Sequence, residues 1–240
     1  PPTRAPQLFL SFQPPNKGVF MRVQISPSVL AADLSCLGDE IARAVEGGCD
    51  SFHVDIMDHH FVPNLSFGPP IVETVRKLTT LPIDVHLMVD NPFDMLDAFT
   101  SAVADSITLH VEVLHDPQSA LDVIAQRGVR KGLSLKPDSP VNMVTDRIDS
   151  LDLILVMSVY PGFGGQRFME SAYGRIRQIA EAVQKSKNTP VISVDGGVDA
   201  SNAPLLADAG ATSFVVGSSV FRNHEAAVNV RKIRAALDSR

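Results

Sequence analysis

The chain has 240 residues, 45% of them hydrophobic and 20% charged, with a formal net charge of −6. That composition supplies a full hydrophobic core and excludes an intrinsically disordered chain. The acidic balance and the lack of a long Lys/Arg run exclude a nucleic-acid surface, and no apolar stretch approaches the roughly 18 residues of a membrane span.

Residues 1–20 differ from the rest. They carry Pro1, Pro2, Pro6, Pro14 and Pro15 and no acidic residue, and their one apolar block, residues 8–12, is too short for a secretory h-region. They read as a disordered extension outside the fold: an organellar leader remnant or translated upstream sequence. Residues 21–240 read as a single domain. Cys36 and Cys49 form neither a CxxC pattern nor a disulfide framework, as expected of reduced thiols in a cytoplasmic protein.

From Met21 onward, strand and helix signals alternate. Residues 23–28 form the first strand, and Asp33 caps a helix over 34–46. Residues 51–55 form the second strand, with a helix over 69–78. Residues 83–88 form the third, followed by a helix opening at Pro92. Residues 106–110 form the fourth, with a helix over 117–127. Residues 129–135 form the fifth, with a short helix starting near Pro140. Residues 151–157 are the sixth, an apolar run typical of a strand covered on both faces, with a long helix over 170–185. Residues 191–194 form the seventh strand, with a helix over 200–209. Residues 213–216 form the eighth, with a last helix over 225–237.

Eight strand–helix units with no domain-breaking linker predict an α/β protein of the (β/α)8 TIM-barrel type. A dinucleotide-binding doubly wound sheet would want G-x-G-x-x-G after the first strand, and Ser26-Pro-Ser-Val-Leu30 offers none.

In a barrel the chemistry gathers at the C-terminal ends of the strands. His53 and Asp55 are two apart on the second strand and so share a face. His86 comes from the third strand and Asp195 from the seventh. Two histidines and two carboxylates from three strand ends suit a divalent first-row ion such as zinc, manganese, iron or cobalt. Asp84, one layer below His86, is either a partner orienting that ring or a buried polar residue. His59, His60, His110, His115 and His224 have no comparable company and read as surface or rim residues, and Glu112 as a rim contact. Gly162, Gly164 and Gly165 let backbone approach a ligand. Gly196-Gly197 and Gly217-Ser218 follow strands seven and eight, where barrels commonly bind phosphate. Met57, Met88 and Met157 fall at strand ends, either as core filler or as a hydrophobic wall beside the substrate.

These pieces resemble the ribulose-phosphate 3-epimerase family. The matching motifs are Ser26-Pro-Ser28, His53-Val-Asp-Ile-Met-Asp58, His60-Phe-Val-Pro-Asn64, Phe67-Gly68, Asp84-Val-His-Leu-Met88, Pro161-Gly-Phe-Gly-Gly-Gln166, Val194-Asp-Gly-Gly197 and Gly217-Ser218. The resemblance runs from about residue 22 to 222. It implies a ribulose-phosphate-binding barrel that interconverts D-ribulose 5-phosphate and D-xylulose 5-phosphate. It implies one divalent ion per subunit, usually zinc, on His53, Asp55, His86 and Asp195, with Asp55 and Asp195 as the acid–base pair. It implies contacts to the sugar phosphate from Ser28, His86, Gly162, Phe163, Gly164, Gly165, Asp195, Gly196, Gly197, Gly217 and Ser218. It also implies a homo-oligomer, from dimer to hexamer.

Two positions depart from the family pattern: His59 stands where a glycine is usual, and Tyr160 where a polar residue is commoner. If position 59 needs positive φ, histidine costs on the order of 1 kcal/mol there. A 3-epimerase for a ketohexose 6-phosphate is the nearest rival reading. Decarboxylases and synthases on similar barrels would need Asp-x-Lys-x-x-Asp, and Asp55 is followed by Ile-Met-Asp. A non-catalytic sugar-phosphate binder would not need two opposed aspartates.

Overall fold

The computed structural model describes residues 22–240. The expectation for residues 1–20 lies outside the described residues. Eight parallel strands alternate with helices: β1 Gln24–Pro27, α1 Leu37–Glu46, β2 Phe52–Met57, α2 Pro69–Leu78, β3 Ile83–Met88, α3 Leu96–Ser101, β4 Ser106–His110, α4 Pro117–Gln126, β5 Arg130–Leu135, α5 Asn142–Thr145, β6 Leu153–Met157, α6 Ser171–Lys185, β7 Val191–Asp195, α7 Ala203–Asp208, β8 Ser213–Val216, α8 Ser218–Phe221 and α9 Ala226–Asp238. The sheet order is β1-β8-β7-β6-β5-β4-β3-β2, and an isolated parallel bridge from Ser28 to His53 brings β1 beside β2 to complete the barrel. The predicted fold is the observed one.

The helices form where apolar residues recur on one face. Leu37, Ile41 and Ala44 of α1 are buried, as are Ala172, Ile176 and Ile179 of α6. Asp116 caps α4 by accepting the N–H groups of Gln118 and Ser119, and Pro117 fills the first turn. Two helices start later than the sequence pattern suggests. Asp33 accepts the Ser35 N–H, but this caps a 3-10 turn, Leu34–Cys36, and α1 begins only after it. After Pro92 the chain likewise makes a 3-10 turn, Phe93–Met95, before α3. Tight turns of this kind are common at helix starts. The short α8 was not foreseen.

The main core lies between sheet and helices, where Phe52, Val54, Ile83, Val85, Ile107 and Phe214 are essentially inaccessible. The alternate residues face the barrel axis, and they divide the interior in two. On β6 to β8 this layer is largely apolar, with Leu153, Leu155, Met157, Val191 and Val215 in one cluster. On β1 to β5 it is polar: Ser26, His53, Asp55, Asp84, His86, Ser106, Thr108, His110 and Ser134 are all buried. Ser193, Asp195 and Ser213 add polar groups on β7 and β8, and because a buried polar group is costly unless partnered, this polar interior points to where the function is built.

Candidate metal centre and active site

β2, β3 and β7 deliver the four predicted ligands to one place. Side-chain donor atoms of His53, Asp55, His86 and Asp195 all lie within 4.8 Å of one another. Asp55 is the hub. Its Oδ1 stands 3.3 Å from His53 Nε2 and 3.3 Å from His86 Nδ1, while its Oδ2 accepts the Ser28 hydroxyl at 2.5 Å. Zinc ligands at about 2.0–2.1 Å in a tetrahedron stand roughly 3.3 Å apart, so both spacings match an edge of that coordination polyhedron.

The histidines are held from behind by different means. Asp84 Oδ2 lies 3.0 Å from His53 Nδ1, and Asp84 Oδ1 accepts the hydroxyls of Ser106 (2.5 Å) and Thr108 (3.0 Å). The partner of Asp84 is therefore His53, not the His86 of its own strand. Both ring nitrogens of His53 are buried, and neither has a hydrogen bond of proper angle. The carboxylates beside them are close but out of line, so Nε2 gains its natural partner only from a cation placed among the four groups. The donor set and the spacing fit a divalent metal.

His86 is backed by His110, Nε2 to Nε2 at 3.0 Å, and His110 Nδ1 lies 3.0 Å from Glu112 Oε2. The rim reading of His110 is wrong: it is fully buried, and it lies between His86 and Phe61, with ring centroids 5.0 and 4.6 Å away. Glu112 Oε1 in turn accepts the Lys136 N–H at 2.6 Å and the Ser139 hydroxyl. Sequence reasoning missed this chain because its links come from β3, β4 and the stretch after β5. The usable signal was the spacing His110-x-Glu112 directly after a strand carrying Thr108 on the same face.

The charges are unevenly distributed. Burial pushes the Asp55 carboxyl up, but His53 and His86 outweigh it and hold Asp55 well below the usual carboxylate range. For Asp195, burial pushes the same way as the charge of Asp55, and its pKa rises to about 7. Burial disfavours a cation on His53, yet Asp55 and Asp84 on either side raise its pKa. His110 is driven down to about 4, chiefly by burial, and is neutral. The two aspartates thus differ in character: their surroundings favour the charge on Asp55 and disfavour it on Asp195.

Above these groups opens a cavity of about 490 Å³. Of the predicted site residues, Ser28, Asp55, Met57, Met88, Met157, Gly162, Phe163, Gly164, Gly165, Asp195, Gly196, Gly197, Gly217 and Ser218 line it. His53 and His86 lie behind its wall and are fully buried. Gln166 and Asn64 are additions. The Gln166 side-chain amide donates to the carbonyls of Tyr160 and Phe163, folding the loop after β6 upon itself. Gly197 has φ +61, and a Cβ there would stand 2.5 Å from the Phe168 nitrogen, so only glycine fits.

The loop after β2 is pinned at several points. Asp58 Oδ1 accepts the N–H groups of His60 and Phe61, and its Oδ2 accepts Asp90 N–H from the loop after β3. Asn64 donates to the Gly162 carbonyl at 2.7 Å, reaching the loop after β6. His59 has φ 64, so the position does need the conformation that glycine adopts freely.

Comparison with known proteins agrees with this geometry. A model of the ribulose-phosphate 3 epimerase family matches residues 24–221. A ribulose-phosphate 3-epimerase of Bacillus subtilis (strain 168) is 41% identical over 215 residues, covering 89% of this chain and 99% of its own length. A ribulose-phosphate 3-epimerase 1 of Cupriavidus necator is 40% identical over 203 residues, covering 83% of this chain and 84% of its own. Among solved structures, KGPDC from Streptococcus mutans superposes with a TM-score of 0.65 at 14% identity, covering 91% of this chain and 99% of that one. That likeness speaks to the barrel alone. Among the described residues no helix is long and apolar enough to cross a membrane.

Proposed function

The chain belongs to the ribulose-phosphate 3-epimerase family and is an isomerase of the epimerase type, and from that premise we propose that it inverts C3 of D-ribulose 5-phosphate and D-xylulose 5-phosphate by two-aspartate proton transfer. The observation that carries the mechanism is that Asp55 from β2 and Asp195 from β7 line the same cavity, with donor atoms within 4.8 Å of each other.

Inversion beside a carbonyl requires one group to take the C3 proton and another to return a proton to the opposite face of the planar enediolate. In one direction Asp55 is the base and Asp195 the acid, and in the other they exchange roles. Because they interact, their apparent pKa values belong to the pair. Ser28 holds Oδ2 of Asp55 and so orients its carboxylate. His53, Asp55, His86 and Asp195 would hold the divalent ion, with zinc the first choice. When bound, such an ion supplies Lewis-acid chemistry, polarising the substrate's oxygens and offsetting the charge of the enediolate. The loops carrying Gly162–Gly165, Gly196-Gly197 and Gly217-Ser218 bring backbone N–H groups close to the phosphate. Met57, Met88 and Met157, all nearly inaccessible, wall the cavity with apolar surface and exclude water from the enediolate. A homo-oligomer in the cytoplasm completes the reading, in keeping with unpaired Cys36 and Cys49.

The decisive measurement is turnover of ribulose 5-phosphate by protein stripped with a chelator and then given zinc. Activity lost and restored supports both reaction and metal. Full activity after stripping would remove the metal from the scheme. No turnover of ribulose 5-phosphate, with turnover of a ketohexose 6-phosphate, would replace the substrate.

A further inference from the structure

We infer that Glu112, acting through His110, favours the tautomer of His86 whose Nδ1 offers a lone pair to a cation at the centre. Glu112 and His110 are then positioning residues, two and three steps from the chemistry. This rests on the reading of His86 as a ligand.

The argument is one of hydrogen bookkeeping along a buried chain. Glu112 is fixed at Oε1 by the Lys136 N–H and the Ser139 hydroxyl, and Oε2 lies 3.0 Å from His110 Nδ1. A carboxylate only accepts, so Nδ1 carries hydrogen. In a neutral ring, Nε2 of His110 is then bare. It stands 3.0 Å from His86 Nε2, a contact that needs a single hydrogen, which His86 must supply. That leaves Nδ1 of His86 unprotonated, 3.3 Å from Asp55 Oδ1. Two acceptors face each other across that gap, and a cation between them resolves the conflict.

With a cation at the centre, the reverse arrangement leaves a conflict at the far end that nothing there relieves. If Nδ1 of His86 carried the hydrogen, His110 would donate from Nε2, and its bare Nδ1 would face a carboxylate oxygen at 3.0 Å. Protonating both nitrogens of His110 would satisfy both neighbours, but would enclose a cation in a fully buried ring. Phe61 packs on the His110 ring at 4.6 Å, and Lys136 Nζ stands 3.9 Å above the Phe61 ring, so the ring is held in plane as well as in hydrogen pattern. Outer partners of this kind fix ligand orientation at metal sites.

The test is a long-range proton–nitrogen correlation spectrum of the full chain labelled at histidine nitrogen, after chelator treatment and again with zinc. His86→Asn and His110→Asn variants identify the two rings. The expected pattern with zinc bound is His110 protonated at Nδ1 and His86 protonated at Nε2. With zinc bound, a His110 ring protonated at Nε2 or at both nitrogens, or averaged between tautomers, overturns the inference, and this spectrum of the unmodified chain decides without any variant at Glu112. In addition, Glu112→Gln should weaken zinc binding about 10- to 100-fold in competition with a chromophoric chelator, with partial recovery in Glu112→Asp. Unchanged affinity in Glu112→Gln would also overturn it. If the unmodified chain binds no zinc, the metal reading fails and the inference falls with it; if it binds zinc but His110 shows the other tautomer, only the inference falls.

Discussion

Asp84 and His53 are direct register partners on β3 and β2, and their side chains meet at 3.0 Å, Oδ2 to Nδ1. Sheet pairing thus places a carboxylate behind a candidate ligand with no loop involved. The carboxylate faces Nδ1, leaving Nε2 on the side of the other three groups, and its charge favours a hydrogen on Nδ1. Asp84→Asn should lower zinc affinity about 10- to 100-fold while leaving the far-ultraviolet circular dichroism unchanged. Chelator competition measures it, and undiminished affinity would remove Asp84 from the site.

Asp195→Asn separates the two proton transfers. Epimerisation should fall by about 10²–10⁴-fold, the usual contribution of a general acid or base. Asp55 remains, so the variant should still exchange the C3 hydrogen of one epimer, but not the other, with deuterated solvent. Exchange into both epimers at equal rates would argue against opposed aspartates.

Gly197→Ala places a methyl group against backbone, 2.5 Å from the Phe168 nitrogen and 2.9 Å from the Gln166 carbonyl oxygen. Overpacking of this kind costs about 1–3 kcal/mol. Because the loop lines the cavity, KM for the sugar phosphate should rise more than kcat falls. Steady-state kinetics with urea unfolding reads both, and native values for either would place the loop away from the phosphate.

His59→Gly should stabilise the protein. The residue is exposed with φ 64, a conformation costing an L-residue about 1–2 kcal/mol, and glycine's own flexibility returns roughly 0.5–1 kcal/mol of that. A net gain near 0.5–1 kcal/mol in urea unfolding, with unchanged kcat, is the expectation. A loss would mean that the histidine ring makes a compensating contact.

Glu112 should leave a signature in acid. Burial works against its charge, but hydrogen bonds from His110, the Lys136 N–H and Ser139 bring its pKa from 4.5 to about 2. A depressed carboxylate stabilises the fold above its unfolded pKa, and that contribution disappears as pH falls through the folded value. The stability gap between the unmodified chain and Glu112→Gln should therefore be widest at neutral pH and close between about 4.5 and about 2. A gap constant across that window would contradict the assignment.

The barrel was legible because each strand carries its own apolar pattern and some helices announce their start, as α4 does with Asp116 and Pro117. The four candidate ligands were legible for a related reason: fold class alone says that strand ends converge. Two things were not. Asp84 sits beside His86 in sequence but beside His53 across the sheet, and a single strand does not reveal its neighbour's register. His110 and Glu112 looked isolated because their partners, His86, Lys136 and Ser139, are 24 to 27 residues away in the chain. His59 was readable at once, since a bulky residue in a glycine position announces its own backbone.

The many ties on the loop after β2 bear on how the cavity works over repeated turnovers. Asp58 secures that loop to itself and to its neighbour after β3, and Asn64 fastens it to the loop after β6. Its conformational entropy is surrendered once, when the chain folds, and not again with each sugar that arrives. Next to that tie, at the rim of the cavity, Phe163 stands more than half exposed. Substitutions at that rim would alter how fast the molecule empties and refills, while the floor beneath keeps its shape.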